Sequence, residues 1–324
     1  MESTTVKTEQ AQEPDRADAG QAAGEAADEA RREPVPLAPD SLTWKYFGDL
    51  RGLLLISRVG TLQNMHPGVA AGVTQHSDLF KNPWNRLLRS IPPILGVIYD
   101  GAEAPGTGRT VRDFHRNIKG TDAHGRAYHA LNPDIYYWAH ATFFEGQIAL
   151  QEFFGEPLSE EARERLYRES IQWYALYGLT MQPVPPDYAS FKQYWERMLD
   201  EVLENTSITQ WYFHPVDQQL PAPYPWLRGP LWLLLAPVVS RGSRWLAIGT
   251  LPPRLRDRMD LQWSAGDERR LRLLGTVVRT LWRVIPAPWG YMPRARKAFH
   301  RVARQKRSER NGPSHGNDPK LRWG

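Results

Sequence analysis

Cysteine is absent from all 324 residues of the chain. That excludes disulfides, thiolate nucleophiles, iron–sulfur clusters, thiolate-ligated haem and every zinc site that uses a cysteine. A metal here has to be held by His, Asp, Glu or Tyr. No run of about 18 apolar residues exists, so no membrane-spanning helix is expected. The first residues lack the apolar stretch of a secretory signal, which makes the cytoplasm the expected compartment. Other signatures are missing too. There is no Gly-rich phosphate loop after a strand, no HExxH, no Glu-x-x-His for a di-iron carboxylate site and no G-x-S-x-G elbow. Alternating strand patterns and internal repeats of about 20–50 residues are likewise absent.

What is abundant is aromatic and apolar surface, with 13 tryptophans and 41% hydrophobic residues, enough to build a substantial core. Charge is unevenly placed. Residues 1–40 hold ten acidic and four basic side chains, while residues 291–324 hold ten basic and two acidic ones. The overall +5 therefore reports mainly a basic end, and nucleic-acid binding is not expected of it, because no aromatics are interleaved with the charge. Residues 1–40 lack large aromatics and end in PVPLAP, the composition of a disordered acidic leader.

From 41 to about 290 the periodicity is helical, interrupted by proline and glycine, and it predicts one all-α multi-helix domain followed by a frayed basic tail over 291–324. Pro92-Pro93 is expected to break or kink a helix that carries Arg86, Arg89 and Ser90 on one face, where such arginines are ordinarily solvated. Residues 115–129, with Gly120, Gly125 and an Asp-Ala-His-Gly turn, read as irregular or as a tight hairpin. The prolines of 215–230 exclude regular structure there. LWLLLAPVVS, at 231–240, reads as a buried helix, with a monotopic membrane contact as the alternative.

The most informative stretch is NPDIYYWAHATFFEGQIALQEFFG, residues 132–155. Asn132 suits the N-cap, Pro133 the first turn and Gly155 the stop. His140 sits inside it, with Tyr136 and Tyr137 one turn before and Phe143 and Phe144 one turn after. A buried imidazole needs a partner at each ring nitrogen, or desolvation costs about 1–3 kcal/mol. A distant carbonyl meets that need, and so does a flat metal-centred cofactor walled by these aromatics.

Four further motifs set this helix in context. LQ…HP…G…HS spans 62–77, R-L-x-R-S spans 86–90, H-x-x-x-x-G…G-x-x-Y spans 115–128, and W-x-H-A-T spans 138–142. In this order over roughly 45–265, they resemble the MpaB-type oxygenase family, the broad group that includes the latex clearing proteins, or rubber oxygenases. The resemblance implies a helical fold enclosing haem b, with the W-x-H-A-T histidine, here His140, as iron ligand and Tyr136 and Phe144 in the pocket wall. It also places Arg86, Arg89 and Ser90 on the distal side, where the rubber oxygenases have an R-x-x-K-T pattern. Arginine cannot become a neutral base as lysine can, so a role that requires proton loss does not carry over to Arg89. Arg86 is expected to pair with a haem propionate or to stabilise dioxygen, and Ser90 to donate one hydrogen bond. His66 and His115 also match family positions, as a second axial ligand, a propionate partner or a structural residue.

The expected function is that of a haem-dependent oxygenase oxidising an apolar, isoprenoid- or lipid-like substrate with dioxygen. Peripheral membrane contact is a further expectation. The alternatives are a haem or hydrophobic-ligand carrier and a helical scaffold that has lost haem.

Overall fold

The structure is a computed structural model that describes residues 33–214 and 220–311, so most of the acidic leader and the last residues lie outside the described part. Its elements run α1 (Leu42–Phe47), a 3-10 turn (Leu50–Leu55), α2 (Ile56–Asn64), α3 (Pro67–His76), α4 (Pro83–Tyr99), α5 (Ala104–Asp113), β1 (Lys119–Thr121), β2 (Ala127–His129), α6 (Pro133–Phe154) and α7 (Glu160–Ala175). Then follow α8 (Tyr188–Arg197), α9 (Ser207–Phe213), α10 (Pro230–Thr250), α11 (Pro253–Arg258), α12 (Ala265–Trp282) and α13 (Pro293–Asn311).

Helix α6 is the spine, and the signals that bound it in sequence also bound it in space. Asn132 accepts from the backbone N–H groups of Asp134 and Ile135, Pro133 occupies the first turn, and the chain leaves helical geometry at Gly155. Its side chains are apolar nearly all round because α1, α2, α3, α7 and α12 all pack on it. Aromatic rings dominate that packing. Trp138 stacks on Trp195 at 5.1 Å, and Phe144 meets Phe191 and Tyr167 at 4.8 and 5.2 Å.

A buried carboxylate joins the two ends of this core. Glu169 of α7 accepts from the N–H groups of Leu42 and Thr43 at 3.0 and 2.8 Å and from the Thr43 hydroxyl, closing the open start of α1 beside the Ser41 cap. Replacing Glu169 with alanine strands those donors. The expected loss is about 2–3 kcal/mol of unfolding free energy, read from urea denaturation; a loss under about 0.5 kcal/mol would mean that water caps the helix equally well.

Helices α4 and α5 form a hairpin turned at Gly101, whose φ of +65° lies in the left-handed region. A Cβ on Gly108 would collide with the Leu176 carbonyl, so the close approach of α5 to the end of α7 depends on that glycine. Helix α4 runs through Pro92 and Pro93 without a break. The carbonyls of Leu88 and Arg89, which lose their helical donors, belong to exposed residues where water can meet them.

The tight-hairpin reading of 115–129 holds over 119–129, and two other expectations are corrected. Residues 119–129 form a regular two-stranded antiparallel hairpin, Lys119 opposite His129, held to α3 by Gln75 donating to the Thr121 carbonyl and Tyr128 donating to Gln75. The basic stretch after 291 is no frayed tail up to residue 311, since α13 buries Ala295 and Ala298 and anchors α4 through Arg294–Asp100 and a bond from Arg301 to the Tyr99 carbonyl. Helix α10 is not a buried helix over its first half: Leu231, Leu233, Leu234 and Val238 are exposed. No described helix is long and apolar enough to cross a membrane.

Candidate functional site

Six of the nine histidines separate by what each ring nitrogen touches. His140 lies 2% exposed. Its Nε2 is 3.0 Å from the Ser170 carbonyl and 2.9 Å from the Ser170 hydroxyl. A carbonyl only accepts, so Nε2 carries the proton and Nδ1 is a bare lone pair with no partner among the described residues. The rings of Trp173 at 4.6 Å and Tyr174 at 5.2 Å close in on the imidazole. A porphyrin needs several ångströms of free space in front of the ligating nitrogen. In front of Nε2 that space holds helix α7, so Nε2 offers no seat for a haem in this packing.

Burial also pushes the His140 imidazole down to about 3, an acidity at which it stays neutral throughout the physiological range.

The second histidine has the opposite arrangement. His115 follows α5, and its Nδ1 lies 2.9 Å from the Val111 carbonyl one turn back. Nδ1 therefore carries the proton, and the Nε2 lone pair is left without a hydrogen bond among the described residues. This is the orientation in which protein histidines present a nitrogen to a metal, the far N–H being pinned to a carbonyl. Tyr136 braces the ring edge-on at 5.6 Å. Burial lowers the His115 pKa, and the positive charge of Arg86 lowers it further.

Arg86 is brought there by the α4–α5 hairpin, which sets the start of α4 against the end of α5. The guanidinium is partly buried, with its pKa lowered by burial, and it makes no hydrogen bond or ion pair among the described residues. A partly buried cation without an anion is costly. Arg89 and Ser90 share its helix face at three and four residues and are exposed. The three residues expected on a distal face thus share one face of α4.

His66 completes the set and is tied to it through the start of α6. It caps α3, with Nδ1 accepting from the Gly68 N–H at 3.1 Å, so its Nε2–H is free to donate and cannot ligate iron as a neutral ring. A Cβ on Gly68 would strike Ile135, the neighbour of Tyr136, which shows how closely the start of α3 and the start of α6 approach. Burial chiefly, then Arg126 of the hairpin, lowers the His66 pKa to about 4.

Of the remaining expected residues, Tyr136 turns to His115 rather than His140, and Phe144 points into the α7–α8 core away from both. Three other histidines are engaged elsewhere: His76 with the Lys119 carbonyl, His124 with Glu204 and His129 with the Arg116 carbonyl. No group of three or more metal-ligating side chains exists among the described residues. The signal for His115 was local, a histidine four residues after Val111 at a helix end; nothing local announced that Ser170 would occupy His140.

These depressed histidines give a pH signature. Below about 6.5 the unfolded chain takes up protons that folded His66 and His140 refuse, so stability falls as pH drops from 6.5 toward 4. Each group fully in that window contributes a slope of about 1.4 kcal/mol per pH unit. Urea midpoints between pH 7.5 and 4.5 should show this slope, and His66→Asn, which keeps a capping side chain, should remove about half of it. An unchanged slope in that variant would place the titration elsewhere.

Comparison with known proteins decides the family. A family profile described as "ER-bound oxygenase mpaB/B'/Rubber oxygenase, catalytic domain" matches residues 44–280. The chain belongs to this family. Two relatives, "Uncharacterized protein Mb2261" of Mycobacterium bovis and "Uncharacterized protein Rv2237" of Mycobacterium tuberculosis, are each 27% identical over 230 residues, covering 68% of this chain and 84% of theirs. No solved structure matches. For this mpaB/rubber-oxygenase domain the helical fold is thus established together with the family, and the matched segment contains α2 to α11 entire, with His66, Arg86, His115 and His140 all inside it.

Proposed function

We propose that this protein is a haem-dependent oxygenase that holds haem iron on His115 Nε2 and oxidises an apolar, isoprenoid- or lipid-like substrate. The observation that carries the reading is an open-nitrogen histidine within electrostatic reach of a partly buried arginine that has no anion among the described residues. Bound haem b would supply the iron at which dioxygen is activated. The residues of the chain do the rest. The Val111 carbonyl fixes the tautomer of His115 and makes its Nε2 a better donor to a metal. Arg86 offers a planar fork of N–H groups suited to a carboxylate such as a haem propionate. Arg89 and Ser90 supply further donors on the same face, and His66, neutral at physiological pH, offers one N–H. His140, bonded to Ser170, serves the core.

A peripheral approach to lipid fits the exposed leucines of α10 and the basic face of α13.

The test is the absorption spectrum of protein produced with added haem precursor, followed by oxygen uptake on squalene as an isoprenoid probe. A Soret band and substrate-dependent uptake are expected. A Soret band without uptake on any apolar probe fits a carrier instead, and no band after reconstitution with haem removes the haem reading.

A further inference from the structure

A cleft of about 100 Å³ lies between the 3-10 turn, α2, α4 and α6, separate from the histidines. Its walls include Leu55, Val59, Ile94, Phe143 and Leu150, and Leu53, 44% exposed, stands at its rim. On its lining sits Gln147, 3% exposed, and neither its amide oxygen nor its amide nitrogen has a hydrogen-bond partner among the described residues. Two unmet polar atoms at such depth cost about 1–3 kcal/mol each, whereas leucine or methionine would fill the same helix position at no such cost. The amide is therefore best explained by something that enters the cleft and meets it.

Water is a poor occupant. Each water would need two to four polar partners in a wall that is otherwise almost wholly apolar. A charged ligand is excluded as well, because no Asp, Glu, Lys, Arg or His lines the cleft to pair with it. What remains is a neutral molecule with one oxygen function and an apolar chain.

We infer that this cleft is a second ligand site, taking an apolar molecule whose single carbonyl or hydroxyl group bonds to the Gln147 amide while its chain runs out past Leu53. The site is independent of the proposed iron site. On α4 the cleft residues Ile91, Ile94 and Leu95 repeat the spacing of Arg86, Arg89 and Ser90 five positions later, which places the two sets about 140° apart around the helix.

The experiment titrates full-length protein, labelled on Ile, Leu and Val methyl groups, with 2-octanone and separately with n-octane. Resonances are followed with and without haem. The ketone is expected to shift the methyls of Val59, Ile94 and Leu150 saturably, equally in both forms, and to bind more tightly than octane. Gln147→Leu should weaken the ketone about tenfold, one hydrogen bond's worth, without weakening octane. Val59→Phe, which fills the cleft and leaves Gln147 in place, should abolish both and guards against a misfolded first variant. Equal affinities for ketone and octane, ketone binding unchanged in Gln147→Leu, shifts centred on His115, or no saturable shift up to the solubility limit would each overturn the assignment. Failure of haem incorporation would leave these outcomes unaffected.

Discussion

Substituting alanine for His115 is expected to reduce haem retained through purification to below about a tenth of the wild-type value, because the substitution removes the histidine whose Nδ1–H is held by the Val111 carbonyl, leaving Nε2 without a hydrogen bond among the described residues, and whose ring feels the charge of Arg86. His140→Ala is expected to keep the Soret band and lose stability instead, since it opens a cavity between Trp173 and Tyr174 and frees the Ser170 carbonyl. Imidazole added to His115→Gly should restore the band, which a purely structural role would not produce. The decisive contrast is the ratio of haem to protein in the two alanine variants. Retention in His115→Ala with loss in His140→Ala would return the iron to α6.

Arg58→Ala is expected to cost about 3–5 kcal/mol of unfolding free energy. Arg58 is 3% exposed, pairs through both terminal nitrogens with Glu145, and donates from Nε to the Thr250 carbonyl at 2.8 Å. One side chain thus ties α2 to α6 and to the end of α10. Truncation leaves a largely buried carboxylate without its partner, and that uncompensated charge dominates the loss. Pairing Arg58→Met with Glu145→Leu should recover most of it, because the desolvation of both charges disappears together. Urea denaturation of the four forms gives the coupling directly; additive single effects would show that the pair is solvated in the folded protein.

Legibility in the sequence followed the range of the interactions involved. Helix α6 was readable to within a residue because its stops, Asn132, Pro133 and Gly155, act on their own neighbours. The hairpin was half readable: glycines marked the turn, but pairing depends on Gln75 of α3, which binds both strands. Helix α13 was obscured by its charge, although Ala295, Ala298, Phe299 and Val302 do follow a helical stripe that the arginines surround. The exposed half of α10 could not be inferred, since an apolar segment reads the same whether protein or solvent lies beside it. At the site, the motif order identified the family, and helical spacing put Arg86, Arg89 and Ser90 on one face of α4. That His140 Nε2 is occupied depended on Ser170, thirty residues away and on another helix.

The contact between α1 and α13 bears on how the protein is made. Trp44 and Tyr99 complete their aromatic cluster only with Phe299, at 5.5 and 6.2 Å, and Met292 donates its N–H to the Gly48 carbonyl. A ribosome delivers the chain from its N-terminus, so this part of the core stays open until nearly the whole body has emerged. The nascent protein must carry Trp44 and Tyr99 uncovered through most of its synthesis, a period in which chaperone occupancy, rather than final stability, would govern yield.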